Sequence, residues 1–386
     1  MSALIPFNKP YFSGNETSYI EEAVRSGKIS GDGLFTKRCQ EFFETRYGFS
    51  KTLLTTSCTD ALEMAAILID IQPGDEVIMP AYTFVSTANA FVLRGAHIIF
   101  ADSSANNPNL DVNTLEALIT PKTKAIVPVH YAGVACDMPS IMALAAKYNL
   151  WVVEDAAQAI ESYFDGKPLG SFGHLAAFSF HETKNIISGE GGMLAINDLK
   201  FVHRAEIIRE KGTNRSKFFR GEVDKYGWVD IGSSFLPSDI IAAFLYAQLE
   251  NIENIQAKRI SLWNRYENNL AIQLKEYGIR IPYLPKYATN NAHMFYLVCQ
   301  DIEQRSQLIE YLRGRGIQTV FHYLSLDRSP FYADKHDGRI LFWSDYYADR
   351  LVRLPMYYDL SISDVDKISQ CILNFFKNQN KFISNL

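Results

Sequence analysis

Cysteine is scarce in this chain of 386 residues. The five, Cys39, Cys58, Cys136, Cys299 and Cys371, are odd in number, scattered and without CxxC spacing, so neither a disulfide framework nor a zinc site is indicated, and a reducing cytoplasm suits them best. Long apolar runs are missing too. None approaches the ~20 residues that cross a bilayer, and the opening Met-Ser-Ala-Leu-Ile-Pro-Phe-Asn-Lys-Pro has no long apolar core, so neither a membrane helix nor a signal peptide is expected. The net charge of −5 argues against nonspecific nucleic-acid binding, while a local basic patch for a small anion stays open. Internal repeats and low-complexity tracts are absent. What is present, 47% hydrophobic and 21% charged residues, is the balance of a soluble globular protein with a substantial core, and the length predicts two domains or one large domain with an appendage.

Strand and helix signals alternate through the first two thirds. Lys51–Thr55, Glu76–Met79, His97–Ala101, Lys124–Val129 and Leu150–Val153 read as strands, separated by helical patterns such as Ala61–Ile71, Phe84–Leu93 and Ser140–Tyr148. This predicts an α/β domain over residues 1–256 with a large, mostly parallel sheet. From 257 to 386 a long helix to about Tyr277, a strand at Met294–Cys299, a helix at Arg305–Arg315, a strand at Gln318–Tyr323 and a helix at about Ser363–Phe376 predict a small C-terminal α+β domain. Ligands of parallel sheets bind beyond the carboxyl ends of the strands, which here carry Tyr82, His130, Asp155 with Gln158, and Lys184.

The polar chemistry gathers between Ser171 and Gly192. Leu175–Phe180 predicts a buried strand that ends in a turn of His181, Glu182, Thr183 and Lys184; Gly189, Gly191 and Gly192 then mark close backbone approach or a sharp bend. A lysine delivered there is either a Schiff-base nucleophile or an exposed turn residue. Asp155, 29 positions earlier, is a carboxylate leaving a buried strand and needs a cationic or hydrogen-bonding partner. The pair suits pyridoxal 5'-phosphate (PLP), whose ring nitrogen is commonly paired by Asp and whose aldehyde is held by Lys. Capping of a helix that starts at Ala156 is the other reading of Asp155. Thr56, Ser57, Cys58 and Thr59, at the start of the Ala61–Ile71 helix, form either a phosphate cradle or an ordinary N-cap.

Pro73-Gly74-Asp75-Glu76-Val77-Ile78, Thr83-Phe84-Val85-Ser86-Thr87-Ala88-Asn89, Glu154-Asp155-Ala156-Ala157-Gln158, Ser179-Phe180-His181-Glu182-Thr183-Lys184-Asn185 and Gly189-Glu190-Gly191-Gly192 follow one another in the order found in a known family. On these motifs the chain resembles the DegT/StrS family of PLP-dependent nucleotide-sugar aminotransferases over nearly its whole length. The resemblance implies the aspartate aminotransferase type of fold, PLP fold type I. It makes Lys184 the residue that holds the cofactor covalently, Asp155 the partner of the pyridine nitrogen, Gln158 a neighbour of the phenolic oxygen and Tyr82 the aromatic that stacks on the ring. Ser179 with Ser57, Cys58 and Thr59 becomes the phosphate cup.

Some positions depart from the family. Cys58 stands where it usually has Gly, and Ser234 where it usually has an Asn that reaches the phosphate of the neighbouring subunit. Ser325 and Asp327 replace the Pro and His that often follow Phe321-His322-Tyr323. The resemblance further implies a homodimer with shared sites, and substrate contacts from His181, Arg215 and His322. It has the basic stretch Arg209–Tyr226, by composition a solvated loop, reaching toward the partner subunit.

The implied reaction passes an amino group from L-glutamate to the C4 ketone of a TDP-sugar. The freed Lys184 moves the proton at the donor's α-carbon, while Asp155 keeps the ring nitrogen protonated and, salt-bridged in this way, ionises readily. Two rival classes share the scaffold. Sugar dehydratases place His where this chain has Lys184, and inactive regulatory relatives have no need of Lys184, Asp155 and Gln158 together. Nucleic acid, membrane and metal are not expected as partners.

Overall fold

A computed structural model describes residues 4–383. Along the chain run α1 (Glu16–Arg25), α2 (Leu34–Tyr47), β1 (Lys51–Thr55), α3 (Cys58–Leu68), β2 (Glu76–Pro80), α4 (Val85–Val92), β3 (His97–Ala101), the single turn α5 (Val112–Leu115), β4 (Thr123–Ile126), α6 (Met138–Tyr148), β5 (Trp151–Asp155), the short pair β6 (Tyr163–Phe164) and β7 (Lys167–Pro168), β8 (Leu175–Ser179) and β9 (Gly192–Ile196). There follow α7 (Val202–Arg209), α8 (Arg215–Phe219), α9 (Asp239–Glu250), α10 (Ile252–Lys275), β10 (Tyr296–Val298), α11 (Ile302–Arg313), β11 (Val320–Phe321), α12 (Phe342–Arg350), β12 (Leu351–Arg353) and α13 (Ile362–Ile383).

Successive strand residues face opposite sides of a sheet, and in this protein both sides are buried. Leu53, Val77, Val153 and Ala177 pack with α3 on one side. Their neighbours Leu54 and Ala176 meet α2 and α9 on the other, where Ile78 and Val152 meet α6. Seven strands join in the order β1-β9-β8-β5-β4-β2-β3. Only the pairings of β9 are antiparallel, so the expected helix-covered, mostly parallel sheet is present.

A second, antiparallel sheet in the order β10-β12-β11 packs with α10, α11 and α13. Its core takes Leu262, Tyr266 and Leu270 from one face of α10, and Val365, Ile368, Ile372 and Phe376 from one face of α13. The change of pattern read at 256/257 falls inside a continuous helix. Ile255 of α10 lies in the core of the larger sheet and Leu262 in that of the smaller. The N-terminal segment also crosses over, since Ile5 N–H donates to the Gly316 carbonyl at 2.8 Å and the Ile5 carbonyl accepts from Gln318 N–H at 3.0 Å. Between the two cores lies a seam of tyrosines that includes Tyr82, Tyr131, Tyr296 and Tyr347. Among the described residues no helix is long and apolar enough to cross a membrane, and no group of His, Cys, Asp and Glu could hold a metal.

Candidate active site

β5 and β8 lie side by side in parallel, with Asp155 opposite Ala177, so the segments after both strands open on one edge of the sheet. Asp155 is 5% exposed. Its Oδ2 accepts a hydrogen bond from Thr87 Oγ1 of α4 at 2.7 Å, and its Oδ1 accepts from Ala157 N–H at 3.1 Å. No helix follows; residues 156–160 form turns, so the capping reading gives way. Burial pushes the carboxyl's pKa up, against the two hydrogen bonds and the weaker pull of Lys184. The ready ionisation expected of a salt-bridged aspartate therefore does not hold in the chain alone. This carboxylate is short of a cation.

Beyond β8 the chain turns so that Lys184 N–H donates to the His181 carbonyl at 2.9 Å, and Glu182 N–H to that of Gly189 at 2.9 Å. Burial lowers the pKa of the Lys184 amine, with repulsion from Arg353 adding to it; Cys58, Asp155 and Glu190 oppose the shift. The next residue fixes the turn. Asn185 Nδ2 donates to Gln256 Oε1 of α10 (3.2 Å) and to the Asn291 carbonyl (2.8 Å), and Asn185 Oδ1 meets His293 Nδ1 at 2.9 Å. A small cleft leads to Lys184 between Asn8–Tyr11 and Tyr357–Tyr358.

The Thr56–Thr59 turn lies closer to its helix than the sequence indicates. α3 begins at Cys58, three residues before Ala61, because Ser57 takes extended backbone angles and its Oγ accepts Asp60 N–H at 3.1 Å. The N–H groups of Cys58 and Thr59 are left without a partner among the described residues, as the first turn of a helix requires. Thr59 Oγ1 donates to Ser86 Oγ at 2.8 Å, and Ser179 Oγ accepts His181 N–H at 3.4 Å. Gly192 abuts this turn: a Cβ there would stand 2.3 Å from the Ser57 carbonyl, so only glycine lets β9 pass. Asp60, hydrogen-bonded to Thr56, is pushed up to about 6 by burial and by Glu63.

Gln158 Oε1 accepts Ala132 N–H at 2.6 Å, which turns Nε2 toward the Tyr323 hydroxyl at 3.1 Å. Tyr82 does not stack as expected. It is fully buried in the seam, 5.4 Å from Tyr131 and 5.8 Å from Tyr323 between ring centroids, and has no free face; the exposed ring of that segment is Phe84, at 55%, the residue that precedes α4. His322 Nδ1 meets the Tyr131 hydroxyl at 2.9 Å, and burial pushes its pKa well below that of free histidine. His181 Nδ1 accepts Thr183 N–H at 3.3 Å, and its Nε2 lies 3.6 Å from Glu190. His130 belongs to the scaffold, fully buried with Nε2 2.9 Å from Glu154 and Nδ1 accepting Cys136 N–H.

Ser234 adjoins the Thr56–Thr59 turn, since the carbonyl of the next residue, Phe235, accepts Thr56 N–H at 3.0 Å, while Arg215 lies on α8. Arg215 opens α8, is half-exposed and lies 4.0 Å from Glu210, whereas Ser234 is exposed and pairs through its backbone with Glu210. The basic stretch is also less of a loop than expected: it contains α8, and Arg209 is buried at the end of α7, bonded to Asp32 at 2.6 Å. Ser325, in the departing segment, donates to Asp327 Oδ1 at 2.5 Å, and both are buried.

Thr87, Phe84, Tyr131, Tyr323 and His293 complete the site. Thr87 and Phe84 sit inside a motif already noted, and Tyr323 beside His322; nothing local marks His293, which the smaller unit supplies. The arrangement fits PLP. A helix N-terminus with free N–H groups suits phosphate, a buried carboxylate without a cation suits the ring nitrogen, and a lysine with a lowered pKa suits the aldehyde.

Fold and site together define a PLP-dependent enzyme of fold type I. Residues 10–373 match the DegT/DnrJ/EryC1/StrS aminotransferase family, and the chain belongs to it. It is 31% identical over 382 residues to the spore coat polysaccharide biosynthesis protein SpsC of Bacillus subtilis (strain 168), covering 97% of each chain. Among solved structures it is similar to the aminotransferase TlmJ from Streptoalloteichus hindustanus, with a TM-score of 0.90 and 27% identity over 98% of this chain and 100% of that one. It is likewise similar to the PLP-form of Spr1654 from Streptococcus pneumoniae, with a TM-score of 0.88 and 25% identity over 97% and 99%. The protein is thus an aminotransferase with PLP as its cofactor.

Proposed function

We propose that the enzyme transfers the amino group of L-glutamate to the C4 ketone of TDP-4-keto-6-deoxy-D-glucose, giving TDP-4-amino-4,6-dideoxy-D-galactose and 2-oxoglutarate. One observation carries the reaction class. Asp155 and Lys184 leave adjacent parallel strands at the same edge, one a carboxylate short of a cation and the other an amine held toward its neutral form. The choice of sugar rests on the motifs from Pro73 to Gly192, which resemble those of the TDP-4-keto-6-deoxy-D-glucose transaminase of enterobacterial common antigen synthesis. The similarity to a protein named for spore coat polysaccharide biosynthesis supports a sugar bound for a surface polysaccharide.

PLP, once bound, supplies an electron sink next to the donor's α-carbon. Asp155, aimed by Thr87 and Ala157, sets its charge against the ring nitrogen. The N–H groups of Cys58 and Thr59, with Ser57 and Ser179, hold the phosphate at the positive end of α3. Phe84 gives an apolar face that keeps water away. Lys184 Nζ, whose pKa burial lowers, takes the proton from the donor's α-carbon and delivers one to C4 of the sugar. Tyr323 keeps its phenolic proton, because burial raises its pKa further than the hydrogen bond donated by Gln158 lowers it.

The working unit in this reading is a cytoplasmic homodimer. Trp228, 85% exposed, and Val229 and Ile231 just ahead of Ser234 leave apolar surface of the kind a partner subunit covers. Proton NMR of the product tests substrate, reaction and stereochemistry together. Lys184 works from one face, so the orientation of the bound sugar fixes the amine. A small coupling between H3 and H4 marks the expected axial nitrogen; a large trans-diaxial coupling marks the gluco isomer and sinks the assignment.

A further inference from the structure

Pro6 and Pro10 bracket a stretch that forms neither helix nor strand, as two residues with a fixed φ and no N–H dictate. Its two ends are anchored on different units. Ile5 pairs through its backbone with Ile317 of the smaller unit, and the Tyr11 carbonyl accepts from Gln248 Nε2 of α9 at 2.9 Å. Between them Asn8 Nδ2 donates at 3.0 Å to the Glu182 carbonyl, in the turn that carries Lys184, and Lys9 meets Asp359 at 2.6 Å with both side chains exposed. The segment is a strap laid over that turn. Beneath it runs the cleft to Lys184, between Asn8 on one side and Tyr357 and Tyr358 on the other. Gln248 and Arg259 also line it, whereas Asp155, Gln158, Phe84 and Tyr323 do not, so it comes to Lys184 apart from the groups that face the cofactor. At about 20 Å³ it exceeds the roughly 10–15 Å³ that one water needs, and it is far too small for an amino acid or a sugar.

The walls of the cleft are polar. Gln248 Nε2 gives its donors to Tyr11 and to Glu16 Oε1 at 2.6 Å, and Asn8 Nδ2 donates to Glu182, while no hydrogen bond among the described residues reaches either amide oxygen. Arg259 donates to the carbonyls of Ala292 at 3.1 Å, His293 at 2.6 Å and Met356 at 3.4 Å, which leaves N–H groups to spare on its guanidinium. Acceptors and a donor together are what an ordered water takes. Transamination has a use for one. In the donor half-reaction a water cleaves the C=N bond at the donor carbon: its oxygen becomes the keto oxygen of the leaving acid, and both its hydrogens stay with the nitrogen. In the acceptor half-reaction the ketone oxygen leaves as water, with both hydrogens of the amine. One water thus enters and one leaves in each cycle, while the reactants fill the sheet edge and the apolar face of Phe84 screens it. We infer that the cleft under the strap is a water port, passing one water at a time between solvent and the reacting nitrogen beside Lys184, a role that rests on the aminotransferase chemistry of the site. Lys9 and Glu182, both exposed, mark its outer end.

The test compares wild-type holoenzyme with Asn8→Leu, which plugs the cleft with a bulkier apolar group, and Asn8→Ala, which loses the same bond to Glu182 but widens it. In a single turnover with L-glutamate deuterated at the α-carbon, Lys184 takes up the deuteron, and water from the port exchanges it before delivery to the cofactor. Wild type and Asn8→Ala should pass little deuterium to the aminated cofactor, read by mass spectrometry. Asn8→Leu should pass up to about one third, the deuteron's share of the three ammonium hydrogens, and should release 2-oxoglutarate roughly tenfold more slowly. Crystals of wild type should hold one ordered water in the cleft, and those of Asn8→Leu none. Equal deuterium transfer in wild type and Asn8→Leu overturns the inference, as does unchanged release of 2-oxoglutarate or a wild-type cleft closed to water. An Asn8→Ala enzyme as impaired as Asn8→Leu overturns it too, by assigning the effect to the lost bond. If wild type makes no 2-oxoglutarate from L-glutamate, the proposed donor falls, and the same comparison with α-deuterated L-glutamine or L-aspartate decides the port.

Discussion

Replacing Thr87 with valine keeps the branched shape of the side chain and removes one donor. Thr87 is fully buried, and its single hydroxyl proton goes to Asp155 Oδ2 at 2.7 Å, so the 2.9 Å contact with Thr83 must be donated by Thr83. A hydrogen bond to a charged group contributes about 1.5–3 kcal/mol. Without it the carboxylate keeps only Ala157 N–H, its pKa rises further than burial already drives it, and the ionised form becomes less available to a pyridinium. At about 1.4 kcal/mol per tenfold, the PLP dissociation constant should rise roughly 10- to 150-fold, with a similar fall in the rate of the glutamate half-reaction. Fluorescence titration of the apoenzyme with PLP and single-turnover absorbance report the two quantities. Thr87→Ser, which keeps the hydroxyl, should restore most of both. A Thr87→Val enzyme within twofold of wild type in both measurements, or a Thr87→Ser enzyme as impaired as the valine, refutes the claim that Thr87 supports Asp155.

Lys184→Ala should lose the absorbance of lysine-bound PLP together with turnover, and near wild-type transamination by that variant would remove Lys184 from the mechanism. Burial keeps His322 and His293 neutral in the folded chain, whereas the unfolded chain protonates them below about pH 6.5. Their stabilisation is full above that pH and fades as the pH falls, so the melting point of the apoprotein should drop from pH 7 to 5 and His322→Asn should lessen the drop. Asp60, raised to about 6, acts in the opposite sense from about pH 4 to 6, so only the difference between wild type and variant is diagnostic. Parallel profiles for the two proteins would contradict the assignment. Mixing Lys184→Ala chains with chains altered only in the Arg215–Tyr226 segment should restore some activity if sites are shared across a dimer; verified heterodimers with none would separate the sites.

How much was legible depended on whether a residue's role was local. Asp155 and Lys184 could be read because each follows an apolar strand, and a polar group at a strand end has few other uses. Ser57 could be read as a cap, yet the helix start at Cys58 could not, since Ala61 opens the apolar pattern while extended backbone at Ser57 sets the true boundary. Tyr82 was mistaken for the stacking ring because sequence orders the aromatics of a segment without saying which face the core claims; the seam claims Tyr82 and leaves Phe84 outside. His293 carries no local signal at all. It matters through its bond to Asn185, 108 residues away in the chain, which no spacing rule records.

The bonds of Asn185 bear on how the enzyme is made. The turn that carries Lys184 is completed by Gln256, Asn291 and His293, all of which leave the ribosome later. At about 5–20 residues per second, His293 follows Asn185 by roughly 5–20 s. During that interval Lys184 is an ordinary amine on a half-built surface, without the later residues that bury it and hold its turn. Loading with cofactor thus belongs to the end of synthesis, after the last third of the chain has docked.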